Sequence, residues 1–273
     1  MTNHLEELIE KADAFLRFLD GFYQGHEAYN LKLIADGISR LRTGGFDDKF
    51  MEKVRQRDED VSTFPYHVAR HLLEDVTYNP MIIQALLERV RDFQKYIHFE
   101  GLGIFLSEAM RKVLLPDREL VLETGNTSAV HVPRFYFSHG FESSYPWSKQ
   151  EELFADYREK VLISHLASRL TVGKVTIQGN VGAFFAQENQ GAEITLEGEC
   201  GWRPCYDMKA GSVTINGIAG HDLAAYADGA AKIAVNGTIR SIGGPYTTAF
   251  SHEIYNDGIL LPKESLSVSP ALN

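Results

Sequence analysis

The stretch GSVTING at residues 211–217 recurs three more times in this chain with small changes. The other copies are GKVTIQG at 173–179, GAEITLEG at 191–198 and AAKIAVNG at 230–237. Each copy ends on a glycine, and the intervals between the four closing glycines are 19, 19 and 20 residues (Gly179, Gly198, Gly217 and Gly237). A fixed period of this length is typical of solenoids, because one repeat cannot bury its apolar face without the next. The repeats therefore predict stacked turns in the C-terminal part of the chain.

Within each copy, apolar and polar residues alternate, as they do in strands that bury one face. The inner positions are Val175 and Ile177, Ile194 and Leu196, Val213 and Ile215, and Ile233 and Val235. A second glycine follows in three copies (Gly182, Gly201 and Gly220), whereas the fourth copy has Arg240 there. We expect three short strands per turn around one dry interior. We expect the glycines at corners, where the chain needs backbone angles that other residues adopt only with strain.

The pattern Gly-x-Val-Thr-Ile-x-Gly-x-x-Gly, with Met208 shortly before Gly211, resembles the GXGXG-type β-helix. That repeat domain is found at the C-terminus of the glutamate synthase large subunit and in formylmethanofuran dehydrogenase. The resemblance covers about residues 170–245. It implies a right-handed β-helix with a structural and inter-domain role and without chemistry of its own. Only about four turns are recognisable, and Arg240 departs from the second glycine column, as a last, capping turn would.

The first 116 residues have the three-and-four spacing of apolar residues that is typical of helices. Helices are predicted from the N-terminus to an interruption at Gly21, over about 26–41, and after a cap at Asp47. Further helices are predicted from Pro80, capped by Asn79, to about residue 99, and over about 103–115. Asparagine is a favourable N-cap, and proline fits the first helical turn. The sequence thus predicts an α+β multidomain chain, with an all-α N-terminal domain followed by a right-handed β-helix of about four turns.

The predicted boundaries are a helical domain at 1–116, a mixed connector at 117–168, the β-helix at 169–261 and a flexible tail at 262–273. Within the connector, DRELVLETGN predicts a strand and turn, VHVPRFYFSHGF an edge strand, and the segment from Ser148 to about residue 166 a capped helix. YTTAFSHEIY predicts a strand that closes the open end of the β-helix.

One cluster in the helical domain has metal-ligand character. His67 and His71 are four residues apart, and Glu74 lies one turn further along the same helix. Two imidazoles and a carboxylate can bind one divalent metal, with His98 or Glu100 as a candidate fourth ligand. The metalloprotease pattern is excluded, because Val68 stands where it requires glutamate. Two helical histidines that lie at the surface or only bond a neighbour are the favoured interpretation of this spacing. No cofactor is therefore predicted, and a divalent metal stays an alternative.

The two cysteines, Cys200 and Cys205, allow two interpretations. Five residues apart, they could form a redox or metal pair. In the repeat register, however, Cys200 aligns with Ala219 and Cys205 aligns with Ala224. Those columns are small and apolar, which favours buried structural cysteines.

A candidate docking patch comes from the loops of successive turns. Its members are Phe184, Phe185, Trp202 and Arg203. We expect these side chains to form one exposed aromatic patch, which is the composition typical of protein-binding hot spots.

Composition excludes several classes. The net charge is −10, and no basic stripe is present to bind a nucleic-acid backbone. No signal peptide or apolar run of about 20 residues is found, so no membrane association is expected and the cytoplasm is the expected compartment. No nucleophile elbow or phosphate-binding loop occurs.

The sequence therefore favours a non-catalytic scaffold or protein-interaction subunit with protein partners, in which a homo-oligomer is an open alternative. A metal-binding protein or metal-dependent enzyme that uses His67, His71 and Glu74 is the second hypothesis. An accessory subunit of a glutamate-synthase-like amidotransferase or redox complex is the third.

Overall fold

The computed structural model describes residues 2–26, 64–93, 95–96, 101–124, 163–227, 230–243 and 253–261. The chain divides into two compact units, Met1–Leu114 and Leu115–Asn273. The predicted second helix, the helix after Asp47, the edge strand at 130–141 and the tail after 261 lie outside the described residues.

The first unit is helical, as the sequence predicts. Its helices are α1 (Thr2–His26), α2 (Phe64–Leu73), α3 (Pro80–Glu88) and α4 (Leu102–Val113), with a 3₁₀ helix at Val90–Phe93. The apolar faces of the helices form one core, in which the largest fully buried side chains include Phe15, Phe93, Phe105, Leu16 and Leu86. The helical spacing of apolar residues therefore identified the elements that build this unit.

Two boundaries in this unit differ from the sequence-based expectations. Helix α1 continues through Gly21 to His26, because a single glycine costs a helix only about 1 kcal/mol and the buried face compensates. Helix α3 begins as predicted, with the Asn79 side chain accepting a hydrogen bond from the Ile82 N–H at 3.1 Å. It ends at Glu88, however, and gives way to the 3₁₀ helix, whereas the pattern suggested a continuous helix to about residue 99.

The second unit is a parallel β-solenoid. Its main sheet contains β1 (Glu119–Glu123), β2 (Lys174–Gln178), β3 (Gln190–Glu197), β4 (Ala210–Ile215), β6 (Ala230–Val235), β8 (Glu253–Asn256) and β9 (Ile259–Leu260), in that order. All neighbours pair in parallel except β8 and β9. A second small sheet pairs β5 (Ile218–Ala219) with β7 (Thr238–Ile239).

The predicted interior columns are confirmed. In the strand register, Ile177 lies beside Leu196, Leu196 beside Ile215, and Ile215 beside Val235. All four side chains are fully buried. Stacked turns that share one dry core are therefore the basis of this unit.

The repeat extends beyond the four copies that the sequence reveals. Strand β1 pairs in register with β2, and Leu122 joins the Ile177 column. Strand β8 pairs in parallel with β6 and so forms a further rung, after which β9 returns antiparallel. Both ends of the predicted connector also belong to the solenoid, because residues 163–169 form part of its first turn and are not the end of a helix.

A long inserted segment separates the first two rungs in the sequence. Lys174 pairs with Glu119, 55 residues earlier (174 − 119), whereas Glu193 pairs with Lys174 across only 19 (193 − 174). The excess is 36 residues (55 − 19). The residues that flank this segment, Thr124 and Ile163, are both hydrogen-bonded to the next turn. The Thr124 N–H donates to the Gln178 carbonyl at 2.9 Å, and the Ile163 carbonyl accepts from the Gly182 N–H at 2.9 Å. Residues 125–162 are therefore an insertion at one corner of the solenoid.

The corner glycines are required mainly by close approach of the turns. A Cβ atom on Gly198, Gly217 or Gly237 would overlap the carbonyl oxygen of the preceding glycine in the same column. In the second column, a Cβ atom on Gly201 would lie 2.9 Å from the Gly182 carbonyl carbon, and one on Gly220 would overlap the Gly201 oxygen. Gly179, with φ of 106°, needs glycine for its backbone angle as well. Backbone angle alone, the reason expected from the sequence, does not explain Gly198 and Gly220, whose φ values lie outside the left-handed region.

A candidate docking surface on the solenoid

One side of each turn has an unusual backbone that the sequence did not indicate. Over residues 164–169, 183–188, 202–207 and 221–226, every second residue has a positive φ, between 51° and 63°. These left-handed residues form three columns with a spacing of 19: His165, Phe184, Arg203 and Asp222; Ala167, Ala186, Cys205 and Ala224; Arg169, Glu188, Asp207 and Tyr226. None of the twelve is glycine. We call this side the alternating segment, and it replaces the third strand that the sequence predicted.

Hydrogen bonds between turns maintain this conformation. The Phe184 and Glu188 N–H groups donate to Trp202 and Tyr206 carbonyls of the next turn, both at 2.8 Å. The Ala186 N–H donates in the opposite direction, to the Leu166 carbonyl of the preceding turn at 3.1 Å. The same pattern recurs one turn further, at Arg203, Cys205 and Asp207. Left-handed angles cost a non-glycine residue about 1–2 kcal/mol, so the neighbouring turns must stabilise them.

The alternating segment assembles an aromatic cluster along the solenoid axis. The His165 ring stacks on Phe184 with centroids 4.8 Å apart and planes within 3°. Phe184 then meets Trp202 edge-on at 5.3 Å and Tyr206 edge-on at 5.8 Å. Tyr206 in turn contacts Tyr226 at 5.4 Å. The cluster therefore spans four successive turns.

Arg203 lies within this cluster as its cation. Its guanidinium carbon is 4.1 Å from the Trp202 ring centroid and 5.3 Å from that of Tyr206. The Asp222 carboxylate lies 3.6 Å from Arg203 and accepts a hydrogen bond from the Trp202 indole N–H at 3.2 Å. We use "aromatic cluster" for His165, Phe184, Trp202, Arg203, Tyr206 and Tyr226.

The exposure of the cluster is uneven. Tyr226 is 43% exposed, whereas Trp202 is 8% exposed and serves mainly to support its neighbours. Phe184, Arg203 and Tyr206 are half-buried. Phe185, expected from the sequence in an exposed patch, is fully buried and faces the solenoid interior, because the alternating backbone directs adjacent residues to opposite sides. The accessible part of the surface is thus formed by Phe184, Tyr206 and Tyr226 around Arg203.

Ion pairs within the same side balance its charges. Arg169 lies 3.3 Å from Glu188, and Lys209 lies 2.6 Å from Asp207. Burial raises the pKa of the Asp222 carboxyl, an effect that Arg203 partly opposes. Burial likewise raises the pKa of Glu188 against the opposing influence of Arg169. With the Arg203–Asp222 pair, three cations face three carboxylates, so this surface has little net charge to attract an ionic ligand.

His165 closes the cluster at its first turn. Its Nδ1 atom lies 2.8 Å from the Gln187 side-chain oxygen, and burial lowers the pKa of the imidazole to about 4. The ring is therefore neutral at pH 7, and the tautomer protonated on Nδ1 would donate a hydrogen bond to this oxygen. A neutral ring stacks on Phe184 without the cost of a buried charge.

Cys200 and Cys205 are buried free thiols. Burial raises the pKa of Cys200 to about 12 and that of Cys205 well above its ordinary value. Because the thiolate is the reactive form, these positions suit the structural interpretation of the cysteines.

The proposed metal ligands lie on and beside α2. His71 Nδ1 is 3.3 Å from the Glu74 carboxylate, and His67 is half-buried one turn earlier. Within the described residues, no three histidine, cysteine, aspartate or glutamate side chains lie close enough together to hold a metal ion. His98 and Glu100 lie outside the described residues. Metal binding therefore stays a prediction.

Tyr206, Tyr226, Asp222 and His165 are members of this site that the sequence did not single out. Their signal is present in the repeat, since His165, Phe184, Arg203 and Asp222 share the spacing of 19 with the glycines. The spacing is hard to recognise in the sequence, because the residues of one column are chemically unlike and share no side-chain character.

Comparison of the chain with protein-family models, with curated proteins and with solved structures returned no match. None of the described helices has both the length and the apolar character needed to cross a membrane.

Proposed function

We propose that this chain is a non-catalytic protein-interaction subunit whose solenoid binds a partner protein through the aromatic cluster. The observation that carries the proposal is the cluster itself, in which aromatic rings and one arginine are held together over four turns of a stacked scaffold. Tyrosine, tryptophan and arginine are the residues that dominate binding hot spots. Rings held by a rigid backbone lose little conformational entropy when a partner docks.

The charges support a docking role in preference to catalysis. Arg169, Arg203 and Lys209 are each engaged by a carboxylate of the same surface. Such pairing leaves an aromatic surface of low net charge, whose binding energy would come from apolar burial. We therefore expect partner binding to depend only weakly on salt.

The direct test is co-purification of the full chain from its native cells, followed by identification of any stoichiometric partner. The double variant Tyr206→Ala/Tyr226→Ala should lose the partner while it retains the wild-type circular dichroism spectrum. The matched control is Tyr255→Ala, since this half-buried tyrosine lies on the outer face of β8. Equal recovery of the partner with both variants, or no stoichiometric partner with the wild type, would contradict the proposal.

Two alternatives make different demands. The first alternative, suggested by the resemblance to the GXGXG-type β-helix, is an accessory subunit of an amidotransferase or redox complex. Co-purification of the full chain should then recover a larger flavin or iron–sulfur enzyme. The His71–Glu74 contact favours examining a metal function by elemental analysis of the purified protein. A divalent metal bound in stoichiometric amount and lost in His71→Ala would favour that function over docking.

A further inference from the structure

Two Asn-Gly pairs stand at equivalent corners of the solenoid. Asn216-Gly217 follows β4, and Asn236-Gly237 follows β6 one turn later. Asparagine followed by glycine is chemically labile, because glycine has no side chain to hinder attack of its backbone nitrogen on the asparagine amide. The two pairs have similar flanks, Ile215 and Val235 before and Ile218 and Thr238 after. The two Asn-Gly pairs can therefore be compared within one protein, and a difference between their deamidation rates reflects the folded structure.

The side chain of Asn216 is held at both ends. Its amide nitrogen donates to the Glu197 carboxylate at 2.7 Å, and its amide oxygen accepts from the Asn236 amide nitrogen at 2.8 Å. The side chain is also half-buried. To reach the Gly217 nitrogen, the Asn216 amide would have to rotate and break both hydrogen bonds.

Asn236 is held at one end only. Its amide nitrogen donates to Asn216, and among the described residues no donor reaches its amide oxygen. The next asparagine of the column is Asn256, whose amide group faces the Gly237 and Val235 carbonyls instead. With its nitrogen on that side, it would donate to them at 3.1 and 3.2 Å. Asn236 and Gly237 are both exposed. Rotation of the Asn236 amide therefore breaks one hydrogen bond and displaces only solvent.

We propose that Asn236 is a site of spontaneous deamidation in the folded protein and that the hydrogen bonds of the Asn216 side chain to Glu197 and Asn236 protect Asn216. The Gly237 nitrogen forms a bond to Asn236 Cγ, the bond from Cγ to the side-chain nitrogen breaks, and ammonia leaves with the proton of the Gly237 N–H. Water then opens the resulting succinimide to aspartate or isoaspartate. The net change is the exchange of an amide for an acid, with water consumed and ammonia released, and it needs no other reactant.

The product alters the corner. An aspartate at 236 no longer donates to the Asn216 oxygen, and it adds a negative charge to a column that already contains Glu197. An isoaspartate also adds a methylene to the backbone beside Gly237, where a Cβ atom would already overlap the Gly217 carbonyl. Deamidated protein should therefore unfold at a lower urea concentration than fresh protein.

The test uses the full-length chain, incubated at mildly alkaline pH and mapped by mass spectrometry of peptides that contain Asn216 or Asn236. Native protein should accumulate aspartate and isoaspartate at Asn236 severalfold faster than at Asn216, whereas urea-unfolded protein should show similar rates at the two sites. The variant Glu197→Ala releases one end of the Asn216 amide and should raise its rate. Equal native rates, faster loss at Asn216, or an intact Asn236 under conditions that deamidate it in urea would overturn the proposal.

Discussion

A Cβ atom on Gly220 would overlap the carbonyl oxygen of Gly201 in the preceding turn, although the φ of Gly220 lies outside the left-handed region. Gly258 is the opposite case, with a φ of 78° and open space around its missing Cβ. The two glycines therefore separate the cost of close approach from the cost of backbone angle.

The first prediction compares alanine at these two positions. Gly220→Ala should destabilise the protein by about 3 kcal/mol or more, because two packed backbones must separate. Gly258→Ala should cost only about 1 kcal/mol, the penalty for a left-handed residue. Urea unfolding followed by tryptophan emission measures both. A Gly258→Ala cost equal to that of Gly220→Ala would contradict the conclusion that close approach of the turns makes Gly220 the more demanding position.

The second prediction tests the left-handed columns. Ala224 and Ala192 are both fully buried, but only Ala224 has a positive φ, of 61°. Glycine at 224 should relieve about 1–2 kcal/mol of backbone strain, which offsets about 0.8 kcal/mol for the lost methyl group and about 0.5–1 kcal/mol for glycine entropy. Ala224→Gly should therefore be nearly neutral, while Ala192→Gly should be destabilising by about 1–2 kcal/mol for the last two reasons alone. Equal losses in urea unfolding would contradict the assignment.

The third prediction concerns pH. The pKa of His165 is about 4 in the folded protein, against 6.5 for an ordinary histidine. Between these values the unfolded chain binds the extra proton, so stability is complete above about pH 6.5 and falls as pH decreases towards 4. This residue alone should account for about 3 kcal/mol over that range. His165→Asn, which does not titrate and suits a left-handed position, should show a smaller loss of stability from about pH 7 to about pH 4.5, and an unchanged loss would refute the assignment.

The fourth prediction concerns the insertion between the first two rungs. Thr124 and Ile163 occupy the places that Gly179 and Gly182 hold in the next turn. Replacement of residues 125–162 by Asn-Val, the two residues between those glycines, should restore an ordinary corner and leave a cooperatively unfolding solenoid. The control puts residues 125–162 back into the same shortened gene. Loss of cooperative unfolding in the short variant alone would show that 125–162 are part of the solenoid core.

The sequence was informative wherever like residues fill a column. Ile177, Leu196 and Ile215 share one chemical character and one spacing, so both the strand and its buried face could be predicted from them. From the sequence alone the first rung is predicted as a separate strand, because the insertion displaces β1 from the repeat by 36 residues (55 − 19).

The alternating segment could not be predicted for a different physical reason. Its conformation is enforced by hydrogen bonds from neighbouring turns, and residues such as Phe184 and Glu188 have no intrinsic preference for left-handed angles. The aromatic cluster depends on that backbone. The sequence alone therefore predicts Phe185 on the outside and gives no indication of Tyr206 and Tyr226.

The most direct test of the docking proposal is site-specific photo-crosslinking in native extract. A photoreactive phenylalanine analogue would replace Tyr226, the most exposed ring of the aromatic cluster, or Tyr255 on the outer face of β8 as the control. We expect position 226 to capture one protein in high yield and position 255 to capture none. Capture of no protein from position 226, or of the same proteins from both positions, would contradict the proposal that this cluster binds a partner.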